Sequence, residues 1–173
     1  MSAALETGRR RRSFRSVNRP GSPGYRRDTQ KHHLLPLQLL HLRSFTQLFA
    51  AIGTGPVGFD DFARNGLLLP ATEERAVEFG MPLHRGPHRV YSEMVAERVG
   101  RIEVDWSRHR LQAPSRCAED ALLRLALLQG ALRRRLLAQR RRMVLNRNDP
   151  LGTGYDFADL DALAERLWSA TGP

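Results

Sequence analysis

Cysteine is almost absent from this 173-residue sequence, in which Cys117 stands alone. A single cysteine excludes an internal disulfide framework and a cysteine-rich zinc site. Any metal ion must therefore be held by His, Asp, Glu or Asn side chains. Long apolar runs are also missing: none approaches the roughly 20 residues that cross a bilayer, and the N-terminal stretch lacks the apolar segment of a secretory signal. These absences predict a chain without a membrane span that is made in the cytoplasm.

Lysine is equally scarce, since Lys31 is the only one, yet the chain carries a net charge of +10. Genomic base composition can explain why arginine replaces lysine, but it does not explain the excess of basic over acidic residues. Residues 1–31 contain nine basic and two acidic side chains. Such a surplus attracts polyanions, and phosphate contacts release counterions, which favours binding. Nucleic acid is therefore the expected class of partner.

Composition divides the chain into three parts. Residues 1–29 mix arginines with proline and glycine and show little apolar periodicity, which predicts a flexible basic arm. We expect a folded core over residues 30–112 and a helical C-terminal extension over residues 113–173.

Apolar spacing predicts four helices. They span residues 37–51, a segment that starts at Pro87 with Gly86 as its N-cap and runs to about residue 102, residues 118–143, and residues 156–170. The helix at 118–143 has a leucine stripe and an arginine-rich second half, and it is a candidate surface for a partner or for a second copy of the chain.

Two short extended pieces are also predicted. One covers residues 33–35, and the other covers Leu67 to Leu69, after a turn signal at Asn65-Gly66. The stretch between residues 71 and 80 gives a mixed signal.

Four of the six histidines fall into two groups, the pair His32-His33 and the pair His84 and His88. Imidazole binds first-row divalent metals well, and His84 and His88 lie close enough in sequence to reach one cation. Adjacent side chains of an extended chain point to opposite faces, so one member of the doublet can complete the metal shell while the other acts as a general base. Asn65 is a candidate acceptor for the second nitrogen of that base. Each group alone is more typical of structural or exposed histidines; their order along the chain supports the joint interpretation.

Three blocks, "KHHLLP", "GFDDFARNGLLLP" and "MPLHRGPHRVYSEMV", resemble in order and spacing the AHH nucleases of the HNH/endonuclease VII superfamily. The resemblance covers about residues 30–102. It implies an α+β protein, mainly helical, in which a small β-hairpin and a helix form a metal-binding ββα core. Lys31 stands where the family name implies alanine.

The resemblance implies a role for each candidate site residue. His32, His84 and His88 would bind one divalent metal ion, with zinc, magnesium, manganese and nickel as candidates. His33 would be the general base that activates water, and Asn65 would position that base and brace the hairpin. Lys31, Arg85 and Arg89 are candidate contacts to nucleic acid. Three imidazoles suit zinc, nickel or manganese better than magnesium.

The activity implied is hydrolysis of phosphodiester bonds by a metal-dependent endonuclease, with DNA favoured over RNA as substrate. Family members include the toxic tips of bacterial secreted toxins and small stand-alone bacterial proteins, so delivery into a target cell is a second expectation for localisation. An immunity protein is accordingly one candidate partner for the helix at 118–143. The alternative hypothesis is a basic nucleic-acid-binding protein without enzymatic activity, in which the histidine site is structural or relic.

Overall fold

The computed structural model describes residues 11–138, 143–152 and 158–171. These residues form a mainly helical α+β fold with a two-stranded antiparallel sheet, which confirms the predicted fold class. The strands are β1 (Thr29–His33) and β2 (Gly66–Pro70). The helices are α1 (Thr46–Ile52), α2 (Thr54–Val57), α3 (Phe62–Asn65), α4 (Glu73–Phe79), α5 (Arg89–His109), α6 (Pro114–Leu137) and α7 (Ala158–Thr171). None of the helices in the described part of the chain combines the length and the apolar character that a bilayer crossing demands.

The two strands pair along their whole length, with His32 opposite Leu67 and His33 opposite Gly66. The chain that joins them, residues 34–65, is a long helical connection and not a tight turn. The strand predicted after Asn65 is confirmed, but the expected turn at Asn65-Gly66 is wrong. Asn65 is the last residue of α3, and Gly66 starts β2 with an extended backbone.

The extended piece predicted at residues 33–35 lies earlier in the chain, at β1. Leu34 and Leu35 leave the sheet and are fully buried in the core. The Leu34 N–H donates to the backbone oxygen of Asn65 at 2.8 Å, and the Leu35 N–H donates to the Asn65 side-chain Oδ1 at 2.7 Å. Because buried N–H groups need acceptors, Asn65 satisfies the backbone where β1 ends.

Two predicted helices have different bounds in the structure. Within the predicted segment 37–51, regular α-helix begins only at Thr46, and residues 37–45 contain two 3-10 turns. The helix expected from Pro87 begins at Arg89, as α5. Gly86 does not serve as N-cap: it has a φ of +75°, and His88 occupies the capping position with a non-helical backbone.

The predicted helix at 118–143 is α6, which starts earlier and ends earlier than expected. Pro114 occupies its first turn, where the missing N–H costs nothing. Residues 139–142, which carry part of the predicted arginine run, lie outside the described residues. The last predicted helix corresponds to α7.

The hydrophobic core lies between the inner face of the hairpin, α1, α5 and α6. The leucine stripe predicted for α6 is confirmed, with Leu122 at its margin and the others almost completely buried: Leu125, Leu128, Leu132 and Leu136. Burial of each such side chain contributes about 1.5–3 kcal/mol. The hairpin therefore packs on a hydrophobic core that is built largely by α5 and α6.

The described part of the predicted basic arm lies against the hairpin. Phe62 donates its N–H to the backbone oxygen of Arg12 at 2.7 Å, and Ser13 forms an isolated antiparallel bridge with Asp61. Lys31 of β1 donates from Nζ to the backbone oxygen of Phe14 at 2.8 Å. The division into arm, core and extension stays a prediction.

Candidate active site

Three histidine side chains converge at the inner face of the hairpin. His32 comes from β1, His84 from the loop after α4, and His88 from the residue that precedes α5. Their candidate ligand atoms all lie within 4.8 Å of one another. The structure therefore brings together the three residues that the sequence predicts as metal ligands, although they are up to 56 positions apart in the chain.

Hydrogen bonds orient two of these rings. Nδ1 of His84 lies 3.1 Å from Oε1 of Gln30, and Nδ1 of His88 lies 3.4 Å from the backbone oxygen of Leu145. An Nδ1–H that donates to these oxygens leaves the lone pair of each neutral ring on Nε2. Such contacts from a second residue fix the ring and the tautomer of a metal-binding histidine.

The third ring, that of His32, is buried and has an unused nitrogen. Its Nε2 makes no hydrogen bond within the described residues. The ring packs edge-on against Tyr91 with centroids 4.8 Å apart, and the Tyr91 hydroxyl donates to the backbone oxygen of Leu34 at 2.7 Å. A buried nitrogen without a partner is costly unless something else binds it. This nitrogen and the neighbouring imidazoles fit a divalent cation such as zinc.

The environment keeps all three imidazoles neutral. Burial, and then the proximity of His84 and His88, lowers the pKa of His32 well below its usual 6.5. Burial and the nearby His88 lower the pKa of His84 to about 4, and burial lowers the pKa of His88. Neutral imidazoles offer a lone pair, so near neutral pH the cluster is ready to bind a cation without first losing protons.

His33, the next residue, points to the outer face of the hairpin. Its ring is stacked on Phe14, with centroids 3.7 Å apart and planes 4° from parallel. It borders an open cavity of about 510 Å³ that is also lined by Asp60 and Asp61. Burial lowers the pKa of His33, the carboxylate of Asp60 raises it, and Lys31 lowers it. The half-buried ring is thus held in one plane beside a space that can admit substrate.

Asn65 is completely buried behind the two histidines. Its Oδ1 accepts from the Leu35 N–H and from Nε2 of Gln129 at 3.1 Å, and its Nδ2 donates to the Leu35 oxygen at 3.0 Å. The sequence suggests that Asn65 accepts a hydrogen bond from the second ring nitrogen of His33. Within the described residues no hydrogen bond joins Asn65 to the ring of His33. What Asn65 contacts is the backbone directly after the doublet.

Comparison with known proteins agrees with this geometry. The model of the AHH family, described as a nuclease family of the HNH/ENDO VII superfamily with a conserved AHH, matches residues 13–128. The chain belongs to the AHH nuclease family. No curated protein and no solved structure matches it.

The match to the AHH family is wider than the three sequence blocks suggest. It starts at Ser13, so it includes Phe14, the residue that stacks on His33. It ends inside α6, one residue before Gln129. The region that matches the nuclease family thus contains the histidine cluster, the hairpin and α6 up to Leu128.

Beyond the matched residues, a short C-terminal segment contacts the loop that carries His84 and His88 in this AHH nuclease. Besides the contact of Leu145 with His88, Asn146 donates from Nδ2 to the backbone oxygen of Arg85. Asp149 is buried and accepts the Leu83 N–H on Oδ2 at 2.9 Å. Leu145, Asn146 and Asp149 therefore brace both ends of the loop that carries His84 and His88.

The three candidate nucleic-acid contacts have different surroundings. Lys31 is engaged with the backbone of Phe14. Arg85 and Arg89 are exposed and line a shallow cavity beside His88 together with Arg147. Nε of Arg89 lies 3.3 Å from Oε1 of Glu93, in an ion pair so exposed that it contributes little to stability.

Sequence reasoning missed several residues that shape the site of this AHH nuclease. They are Phe14, Gln30, Gln129, Leu145 and Asp149. The one available signal was the phenylalanine itself, which is the only aromatic residue among the first 24. The others act through contacts with residues between 54 and 66 positions away.

We expect replacement of Asn65 by alanine to destabilise the AHH nuclease by about 3 kcal/mol or more, because each buried polar group left without a partner costs about 1–3 kcal/mol. The substitution removes the side-chain partners of the Leu35 N–H and the Leu35 carbonyl, and one of the two acceptors of the Gln129 amide. Urea unfolding followed by circular dichroism measures the effect.

The exposed Asn148, replaced by alanine, is the control and should change stability by less than about 0.5 kcal/mol. An Asn65→Ala variant as stable as this control would contradict the bracing role. Asn65→Asp keeps the oxygen but loses the amide donor, so it should fall between the two.

Proposed function

We propose that this AHH nuclease is a metal-dependent endonuclease in which His33 removes the proton from the attacking water. His32, His84 and His88 would hold one divalent cation. When bound, such a cation stabilises the negative charge on the phosphate and on the leaving oxygen. The observation that carries the proposal is the convergence of three neutral imidazoles next to a fourth, His33, that stands apart from them.

The residues around His33 support its part in this mechanism. Adjacent residues on β1 direct His32 inward and His33 outward, so the two imidazoles do not compete for one ligand. His33 remains near enough to the cluster that its charge lowers the pKa of both His32 and His84. The phosphate that reacts would lie between His33 and the cluster of His32, His84 and His88, while stacking on Phe14 keeps the ring of His33 in one plane.

The proposed substrate is DNA and the proposed metal is one of zinc, nickel, manganese and magnesium, with the imidazole ligands favouring the first three. The positive charge of the chain supports a nucleic-acid substrate. Cytoplasmic residence, delivery into a target cell as a toxin effector, and an immunity protein or a second copy bound at α6 stay predictions from the sequence.

Supercoiled plasmid provides the direct test. It is incubated with the protein and each metal, with and without excess chelator, and a structured RNA of similar length is treated in parallel. We expect nicking of the plasmid that chelator abolishes, with slower loss of the RNA. Retardation of the plasmid in a gel without nicking under any metal would overturn the enzymatic proposal in favour of a binding protein.

A further inference from the structure

The two faces of the hairpin carry different residues and face different parts of the protein. In an antiparallel pair, residues that lie directly opposite each other share a face. Lys31 with Leu68, and His33 with Gly66, therefore form the outer face. His32 with Leu67 forms part of the inner face, towards the metal-binding loop and α5.

A groove of about 1080 Å³ runs along this outer side. Gly66 and Leu68 of β2 form part of its floor, the N-terminal segment forms one wall, and the end of α6 contributes to the other. Its end at Gly66 is directly opposite His33 in the sheet. Phe62 lines this end of the groove and contacts Phe14, which stacks on His33, so two aromatic rings connect the groove to the proposed general base.

Four arginines from three separate parts of the chain line this arginine groove, and no acidic residue is among its lining residues in the described part of the chain. They are Arg11, Arg12, Arg26 and Arg133. Arg12 and Arg26 are exposed, and within the described residues their side chains form no ion pair. The positive charges of Arg12 and Arg26 are therefore available to an anionic ligand without the loss of an ion pair among the described residues.

Arg11 links the groove to the site. It lines the arginine groove and also the cavity beside His33, which contains Asp60 and Asp61. Its Nη2 donates to the backbone oxygen of Gly55 at 3.2 Å, which fixes it between the two spaces. The carboxylates lie on the His33 side only, so positive potential is concentrated in the groove and weakens at the site itself.

We propose that the arginine groove binds the sugar-phosphate backbone of the DNA strand next to the cleaved bond. The proposal rests on the proposed nuclease function. Guanidinium groups bind phosphate oxygens through paired N–H donors. The groove offers such groups together with apolar surface at Gly66 and Leu68, and it ends at Phe62, beside the Phe14 ring that stacks on His33. These contacts would be independent of base sequence.

The test compares salt dependence of DNA binding between two double variants of equal charge. Arg12→Gln with Arg26→Gln removes two groove arginines, while Arg108→Gln with Arg116→Gln removes two exposed arginines that do not line the groove. Fluorescence anisotropy with a labelled duplex, in excess chelator to prevent cleavage, gives the Kd between 50 and 200 mM salt. Each lost phosphate contact lowers the slope of log K against log salt by about 0.9.

We expect the groove variant to lower the slope by about 1.8, and the control variant to leave it close to that of the wild type. Equal slopes for the groove variant and the wild type would overturn the proposal. A loss of slope in Arg85→Gln with Arg89→Gln, with none in the groove variant, would also overturn it and place the strand beside α5. The side chains of Arg12 and Arg26 make no hydrogen bonds within the described residues, so melting temperatures should match and exclude misfolding.

The plasmid assay separates this inference from the nuclease proposal. Wild-type nicking with an unchanged slope in the groove variant would support the nuclease proposal and contradict DNA binding in the groove. A lowered slope in the groove variant without nicking by the wild type would support the groove as a DNA-binding site and contradict the proposed hydrolysis.

Discussion

Replacing His33 by alanine is expected to lower the rate of metal-dependent plasmid nicking by about 10²–10⁴-fold, the range that a positioned general base contributes. The ring borders the cavity on the outer face and is absent from the cluster of three ligand atoms. Its loss should therefore leave metal affinity unchanged. Nicking is measured under single-turnover conditions, and metal binding is measured by isothermal titration calorimetry.

The matched control for this variant is His41→Ala, which removes an exposed imidazole outside the site. It should cleave at the wild-type rate. Full activity in His33→Ala would exclude His33 as the base. Loss of activity together with loss of metal binding would instead make His33 a ligand, which would contradict the division of roles between the two members of the doublet.

Activity could also fall in His33→Ala if the hairpin changed shape, because Phe14 would lose its stacking partner. Phe14 has further support, since its ring contacts Phe62 edge-on at 5.1 Å and its backbone oxygen accepts from Lys31. Unchanged DNA affinity in chelator would show that the outer face keeps its form. His33→Gln, which keeps a polar planar group on the stack, should be as inactive as the alanine variant.

The parts of the site that depend on neighbouring residues could be predicted from the sequence, and the parts that depend on long-range contacts could not. The doublet, the pair His84 and His88, and the strand after Asn65 could be predicted because each depends on spacing over a few residues. The place of Asn65 could not be predicted in the same way. Asn-Gly favours a turn locally, but here the asparagine side chain satisfies the buried backbone of Leu35 in another element.

The same distinction explains the C-terminal segment. Nothing in the residues around Leu145 and Asp149 indicates that they contact a loop about 60 positions earlier. Their contacts are a backbone oxygen on His88 and a carboxylate on the Leu83 N–H, groups that carry no sequence signature. Only the path of the chain after α6 brings them to the loop. The site of this AHH nuclease is therefore larger than the portion that matches the family.

Removal of one of the three proposed metal-binding histidines is expected to lower plasmid nicking as much as loss of the proposed base His33, but by weakening the affinity for the metal ion. His84→Ala deletes one of three imidazoles, and we expect the Kd for a divalent ion to rise by more than about 100-fold, beyond the roughly 10–100-fold that loss of an outer partner causes. Gln30→Ala is such an outer variant. It removes the acceptor at 3.1 Å from Nδ1 of His84 and leaves all three imidazoles in place. Calorimetry with zinc or nickel should therefore rank the three proteins as wild type, Gln30→Ala and His84→Ala in order of decreasing affinity.

His109→Ala is the control for non-specific binding to surface histidines, since its ring is exposed and its Nδ1 lies 2.9 Å from the backbone oxygen of Asp105 within its own helix. It should bind metal as the wild type does. An unchanged Kd in His84→Ala would remove that residue from the metal centre. A Gln30→Ala variant as weak as His84→Ala would mean that the orientation of the ring determines affinity as much as its presence. Because metal supplied in excess can restore occupancy when affinity alone is lost, nicking by Gln30→Ala should recover at high metal concentration, whereas nicking by His33→Ala should not.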